Sequence, residues 1–437
     1  MKHTSISMRD VDGWVRPDGS HISGAIFSSR EIFEIERDVI FMKCWQFVGV
    51  ESEIREPGDF VRSRLGEQDV IVTRTKDRRI HVLANICRHR GTTLCRVDRG
   101  NSSRLTCTYH GWSYGLDGEL KAVPMEKNLD WKIDKSELGL AKAAKVETFL
   151  GLIFATFDPK AEPLDDFLGD ARFYLETMLG RREGGMVLIG GPHKWELEAN
   201  WKTPAENMTG DFYHVAASHA SAMKLNPGLG QAIDMMVTDE VARFIAMPQG
   251  HALNTFLMPE NLPSDLYLPV EPRWLDQPKV GEYYRDIQPE AEQRLGNLRT
   301  RLRMNTCTIF PNLSILPGAS CLRLTLPKGP DRCESWCWVL GYEDMPDEVR
   351  QTVFSAYLDV FGPDGLLEPD DAENWANVVA GLSGPMASKM DFYTGLGLGA
   401  DKTDPDLPGL HAHPLSEAGH RAFYSRWRRQ LATAAEA

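Results

Sequence analysis

The chain lacks any apolar run long enough to cross a bilayer. Its longest uncharged stretch, Met304–Leu322, is interrupted by Pro311, Asn312, Pro317 and Gly318, so it reads as strands and turns. Met1–Asp10 mixes charges and hydroxyls and has no apolar secretion core, which sets the expected location as cytoplasmic. An excess of positive charge is also missing. Lys and Arg number 49 against 62 Asp and Glu, a formal net charge of −13. That balance argues against general binding to nucleic acid or to an anionic membrane. No internal repeat and no low-complexity tract is visible. Cysteine is sparse, at 8 of 437 residues. In a reducing compartment such cysteines serve metal binding or chemistry more often than disulfides.

What is present describes an ordinary globular chain, 42% apolar and 25% charged, with length for two or three domains. Ser29–Trp45 carries apolar residues at helical spacing, with Ser28 or Ser29 as its start. From Phe47 to Phe157 short β-rich runs alternate with Gly, Pro and Asp turns, predicting a small all-β domain. Asp158–Asp170 reads as a linker. Beyond it, Met186–Ala199, Cys307–Leu326 and Cys333–Glu343 read as strands, and Glu206–Ser218, Pro346–Phe361 and Pro369–Leu382 as helices. The fold class expected is α+β: a small all-β domain, then an antiparallel sheet covered by helices.

Two constellations carry chemistry. In the first, Cys87-Arg-His89-Arg-Gly91 is followed by Cys107-Thr-Tyr-His110-Gly-Trp112. Two thiolates and two imidazoles suit either a structural Zn²⁺ or a Rieske [2Fe–2S] cluster. Each loop here offers one Cys and then one His, whereas zinc ribbons and fingers pair like with like. The order therefore favours the iron cluster, with the cysteines on one iron and the histidines on the other. Cys95 reads as a buried thiol beside it, and the remaining cysteines as core.

In the second constellation, Glu206-Asn207-Met-Thr-Gly-Asp211-Phe-Tyr213-His214 runs on to His219. Residues five apart stand ~140° apart on an ideal helix, so convergence on one ion requires the helix to distort or end near Ala216–Ser218. Asp211 is placed to accept the proton of the non-ligating nitrogen of His214. A carboxylate from Glu368-Pro-Asp370-Asp371 would complete a 2-His-1-carboxylate set, as in non-haem Fe(II) oxygenases. Those acids also suit a helix N-terminus on dipole grounds alone.

A Rieske pattern ahead of such a set resembles the large (α) subunit of Rieske non-haem iron aromatic-ring-hydroxylating dioxygenases, of the naphthalene/biphenyl type. The resemblance covers nearly the whole chain. It implies residues 1–40 as a helical segment packing with the catalytic domain, 41–157 as the Rieske domain and 158–437 as a catalytic domain of helix-grip, START-like form. It assigns Cys87, His89, Cys107 and His110 to the cluster, and His214, His219 and Asp371, rather than Asp370, to mononuclear Fe(II). Asp211 matches the acid linking His110 of one subunit to His214 of the next, and is taken with Asn207 as catalytic. Asn207, Met208, Val215, Phe361 and Leu367 fall at substrate-pocket positions; Leu367 departs from the bulky aromatic common there.

The implied activity is O₂-dependent cis-dihydroxylation of a neutral mono- or polycyclic arene. Electrons come from NADH or NADPH through a ferredoxin or reductase, and the expected assembly has a small β subunit, as α3β3. Ring monohydroxylation, or dioxygenation of an aromatic acid such as salicylate, is the alternative on the same site. A Rieske electron carrier would leave His214, His219 and Asp371 unexplained, and a zinc-stabilised binding protein would be colourless. Between Arg74 and Arg104 stand nine Arg or Lys and two Asp, read either as a solvated face or as a landing surface for an acidic ferredoxin.

Overall fold

The strand Gln68–Arg74 shows why the first third of the chain folds as β-structure. Val70 and Val72 bury on one face with Val48, Val61 and Leu65, while Ile71 buries on the other with Phe60, Leu83 and Cys87. A strand covered on both faces needs apolar residues at successive positions, and Val70, Ile71 and Val72 supply them at its centre. It pairs with Asp59–Leu65 across a two-residue turn at Gly66 and Glu67. The computed structural model describes residues 6–128, 132–225, 241–260 and 277–435. In it the chain forms two units, Phe41–Leu164, and Met1–Ile40 together with Asp165–Ala437.

The Phe41–Leu164 unit holds one four-stranded and two three-stranded sheets. Its second core gathers around Cys87, Cys107, Leu94, Leu105 and Tyr114, so both motif cysteines are rooted in packed interior. Of the basic residues between Arg74 and Arg104, Arg74 is buried, bound to the carbonyl of Ile54 and paired with Glu51. It contributes nothing to a surface.

The larger unit is built on a nine-stranded antiparallel sheet. Its order is Met186–Leu197, Cys333–Tyr342, Cys321–Pro327, Leu313–Leu316, Leu302–Ile309, Ala252–Leu257, Ala242–Ala246, Leu410–Ala412 and Lys402–Thr403. Helix Asp347–Phe361 packs on Cys333–Tyr342, and helix Ala418–Ala435 packs on Ala242–Ala246 and Ala252–Leu257. The mixed helix-and-sheet class expected from sequence is the one found.

Several elements differ from the expectation. The helix beginning at Ser29 is capped by that side chain through Ile32 N–H, but it runs only through Glu36 and a π-turn to Phe41, not to Trp45. Gln46 stops it: its amide donates to Phe41 O and accepts from Gly66 N–H, and strand Gln46–Val50 starts there. The stretch read as a linker contains a short helix, Leu164–Leu168. Cys307–Leu326, by contrast, is divided where its prolines, Asn312 and Gly318 led one to expect, by turns at Phe310–Asn312 and Pro317–Ser320.

The N-terminal segment is tied to the larger unit by one buried acid. Glu36 accepts from Trp201 Nε1 at 2.8 Å, Trp427 Nε1 at 2.7 Å and Lys202 Nζ at 2.6 Å. Both ionic side chains are fully enclosed, so each depends on the other for its charge to be tolerated.

Candidate active site

The two Cys/His loops share one backbone design, although the sequence shows no repeat. In each, the glycine four residues after the cysteine donates to the cysteine carbonyl, at 2.9 Å for Gly91 and 3.0 Å for Gly111. The next residue's carbonyl accepts from the cysteine N–H, at 2.9 Å from Thr92 and 2.8 Å from Trp112. The turn requires left-handed backbone at both glycines, φ 72° and 73°, which explains glycine at those places.

The loops place buried sulfurs beneath and imidazoles outside. Cys87 and Cys107 are buried free thiols, while His89 is half-buried and His110 exposed. His89 Nδ1 and His110 Nδ1 stand 3.1 Å apart. Two nitrogens held at ~2.0–2.1 Å by one tetrahedral ion would stand roughly 3.3 Å apart, so the pair fits a shared metal. Trp112 stacks on His89 at 4.8 Å, and Tyr109 lies over His110 at 3.9 Å. Tyr114 Oη lies 3.4 Å from Cys87 Sγ and accepts from Arg88 N–H at 3.1 Å. Cys95, buried nearby, donates to Val97 O and forms no part of the donor set.

The second site is assembled by a helix that breaks. Asn200 opens it, accepting from Lys202 N–H at 3.1 Å, and the helix covers only Lys202–Asn207. The expected helix Glu206–Ser218 is interrupted from Met208 to His214. Gly210 is the cause: its φ is 123°, and a Cβ there would stand 2.8 Å from Asn254 Cβ. The turn therefore presses on strand Ala252–Leu257 as no larger residue could. Asp211 Oδ1 then accepts from Tyr213 N–H at 2.9 Å and His214 N–H at 3.3 Å, an Asx turn that starts the short helix Val215–Ser218. His219 ends that helix, and the break brings the two rings to 5.3 Å between centroids.

Helix Glu368–Leu382 packs against both short helices and delivers the acids. Asp371, buried, points Oδ1 at His214 Nε2 and His219 Nε2, each 3.3 Å away. The three residues offer ligand atoms all within 4.8 Å of one another. Two nitrogens and one oxygen converging in this way suit a divalent iron with open positions. The outer nitrogens are also engaged. His214 Nδ1 stands 3.2 Å from Asp211 Oδ2, and His219 Nδ1 stands 3.2 Å from Asp370 Oδ2. Each imidazole thus has its own orienting carboxylate, with Nε2 left for the centre.

Electrostatics agree. Burial alone would lower the pKa of His214, but the carboxylates of Asp211 and Asp371 outweigh it and push it up to about 10. Burial would raise Asp371, yet the two histidines hold it at about 2. The cluster carries a cation's worth of attraction, which a proton satisfies and a metal ion satisfies better.

Of the expected pocket residues, Met208 is buried, Asn207 and Val215 are half-buried, and Val215 packs with Phe212 and Phe256. Phe361 ends one helix and Leu367 caps the next. Glu368, first in that helix, is buried in an ion pair with Arg323 that fixes the turn before Asp371. Sequence reasoning did not single out Arg323 or His420. The available signal for His420 was helical spacing: with Phe423, Tyr424, Trp427 and Leu431 it lies on the buried face of Ala418–Ala435.

Two donor sets, one of Cys and His and one of His and Asp, on a small β unit and a helix-covered sheet define an iron redox enzyme of two centres. Residues 165–433 match the ring hydroxylating alpha subunit (catalytic domain) family, and residues 44–143 match the Rieske [2Fe–2S] domain. The chain belongs to the ring-hydroxylating α-subunit family. It is 34% identical to the biphenyl dioxygenase subunit alpha of Metapseudomonas furukawaii, over 96% of this chain and 93% of that one. It is equally 34% identical to a benzene 1,2-dioxygenase subunit alpha of Pseudomonas putida, over 97% and 93%. The structure matches naphthalene 1,2-dioxygenase with indole bound at a TM-score of 0.90, with 32% identity, over 98% of this chain and 96% of that one. The protein is therefore a dioxygenase-type oxidoreductase that uses a Rieske cluster and a mononuclear iron. Among the described residues no helix is long and apolar enough to cross a membrane.

Proposed function

We propose that this chain is the terminal oxygenase subunit for cis-dihydroxylation of a neutral mono- or polycyclic arene. The observation that carries the reading is the convergence of His214, His219 and Asp371 on one point. Cys87, His89, Cys107 and His110 hold the cluster, and His214, His219 and Asp371 hold the iron. Once bound, the cluster supplies electrons and the iron supplies the activation of O₂. The stoichiometry at this subunit is arene, O₂, two electrons and two protons in, and one cis-dihydrodiol out.

The chain's own residues arrange the rest. Asp370 and Asp211 keep the outer ring nitrogens engaged, so both Nε2 atoms face the centre. Asp211 links His214 to His110 of a neighbouring copy in a trimer, with a small β subunit as partner. Electrons reach the His89–His110 pair, at the exposed ring of His110, from a ferredoxin or reductase fed by NADH or NADPH, in the cytoplasm. The proposed pocket positions, Asn207, Met208, Val215, Phe361 and Leu367, are one amide and four apolar side chains. They offer no cation for an aromatic carboxylate, which favours a neutral ring over salicylate. Relatives named for biphenyl and benzene support the same class.

The test is turnover of an arene panel, including salicylate, under ¹⁸O₂ with a reductase and ferredoxin. A diol with both oxygens labelled is expected. Incorporation of a single label would make the enzyme a monohydroxylase, and turnover confined to salicylate would overturn the neutral-arene assignment.

A further inference from the structure

The C-terminal helix Ala418–Ala435 brings a third imidazole to the Asp211–His214 pair. Its start is pressed against strand Ala242–Ala246: a Cβ at Gly419 would stand 2.3 Å from the Phe244 ring. That ring meets His420 edge to face, with 6.2 Å between centroids. His420 is buried, and its Nε2 lies 3.9 Å from Asp211 Oδ2, the oxygen that faces His214 Nδ1 at 3.2 Å. The ring is thus held by packing against Phe244 on the buried face of its helix.

A carboxylate offers about four lone-pair directions. On Asp211, Oδ1 accepts from the N–H groups of Tyr213 and His214, and Oδ2 faces His214 Nδ1 at 3.2 Å. His420 Nε2 is a second ring nitrogen near the same Oδ2. At 3.9 Å this nitrogen stands beyond hydrogen-bond length but within reach of a directional N–H dipole. Such a neighbour orients the carboxylate without saturating it, leaving room for a further donor. With His214 alone on Oδ2, rotation of the carboxylate would trade that contact for solvent, since the Asp211 side chain keeps 19% of its surface exposed. Burial raises the carboxyl of Glu206, His420 works against that rise, and the group settles at about 7.

We propose that His420 is a positioning residue, holding Asp211 so that Oδ2 stays on the Nδ1–H of His214. This rests on the proposed role of Asp211 as the link to His214, and adds to it a residue from the far end of the chain.

The test uses the complete, iron- and cluster-loaded oxygenase with two polar variants. His420→Gln places an amide N–H near the former Nε2, whereas the donor of His420→Asn ends near the former Nδ1, short of Asp211. Both are read by Rieske absorption, by iron content, by cluster reoxidation in a single turnover with arene and O₂, and by the electron paramagnetic resonance signal of the Fe(II)–nitric oxide adduct. The last reports the seating of His214 without turnover. His420→Asn is expected to slow reoxidation 10–100-fold or to lose iron to that degree, with an altered nitrosyl signal and intact Rieske absorption. His420→Gln is expected to stay close to wild type. Equal behaviour of the two variants, whether both normal or both slow, would overturn the positioning role. Asp211→Asn is the control for the underlying reading: reoxidation at the wild-type rate in that variant refutes the link itself.

Discussion

Separate replacement of Asp370 and Asp371 by alanine probes which acid faces the metal. The two are adjacent in the first turn of one helix, yet the structure gives them different neighbours. Asp371 Oδ1 lies 3.3 Å from both Nε2 atoms, and Asp370 Oδ2 lies 3.2 Å from the outer nitrogen of His219. Asp371→Ala removes one of the three proposed ligands, and the two imidazoles left are not expected to hold iron through desalting. Iron should fall from about three to about two per chain, with Rieske absorption unchanged because the sets share no residue. Asp370→Ala keeps all three ligands but frees the His219 ring. Loss of such an orienting partner costs about 10–100-fold in affinity or activity, or roughly 1.4–2.7 kcal/mol. The backbone contact from Asn374 Nδ2 to Asp370 O, at 2.8 Å, survives the change, so folding should be little affected. The assay is iron per chain after desalting at fixed Fe(II), beside product formation. Retention of iron in Asp371→Ala with its loss in Asp370→Ala would refute the geometry.

Four further outcomes follow from particular contacts. Binding of Fe(II) to metal-free protein at pH 7 should release about one proton, because His214 holds one up to about 10 and must surrender it; apparent affinity then rises with pH, and calorimetry in two buffers showing no proton release would refute this. Glu36→Gln strands Lys202 as a buried charge and should cost about 3–5 kcal/mol in denaturant unfolding, largely recovered by adding Lys202→Met; an unchanged midpoint in the single variant would contradict the clamp. Phe361→Val should alter product regiochemistry more than total turnover, and an unchanged product ratio with only a lower melting temperature would make Phe361 ordinary packing. Arg90, exposed beside His89, should aid reduction by an acidic ferredoxin; Arg90→Glu should slow cluster reduction at low salt, and equal rates would remove Arg90 from the docking face.

The sequence made the ligand types and their order legible, because Cys-x-His spacing on a tight loop and a clustered His/Asp motif are local features. It also made visible that His214 and His219 could not meet on a regular helix. Where the helix would break was less legible. The interruption at Met208–His214 depends on Gly210 pressing against Asn254, a contact across more than forty residues that no local pattern announces. The same holds for Glu36, whose three donors come from Trp201, Lys202 and Trp427. An acid in an amphipathic helix ordinarily reads as its solvent face. The carboxylate of Asp370 read as a possible ligand or a helix-start acid; only the register of helix Glu368–Leu382 turns it to the outside of His219.

The two donor sets use histidine to opposite ends. In the small unit the imidazoles face one another through Nδ1, His110 is exposed, and the rings of Trp112 and Tyr109 lie against them. Neutral imidazoles in place of thiolates raise a cluster's potential to roughly −150 to +300 mV, against about −400 mV with four thiolates. Exposure of His110 then puts that potential within reach of a partner at the surface. In the larger unit both imidazoles turn Nε2 inward and give Nδ1 to a carboxylate, and His219 and Asp371 are buried. Paired acids strengthen the rings as ligands and fix their direction. Electron entry needs an accessible ring edge, whereas oxygen chemistry needs fixed ligands away from water. The placement of these histidines, one exposed in the small unit and two turned inward in the larger, meets both requirements within one chain.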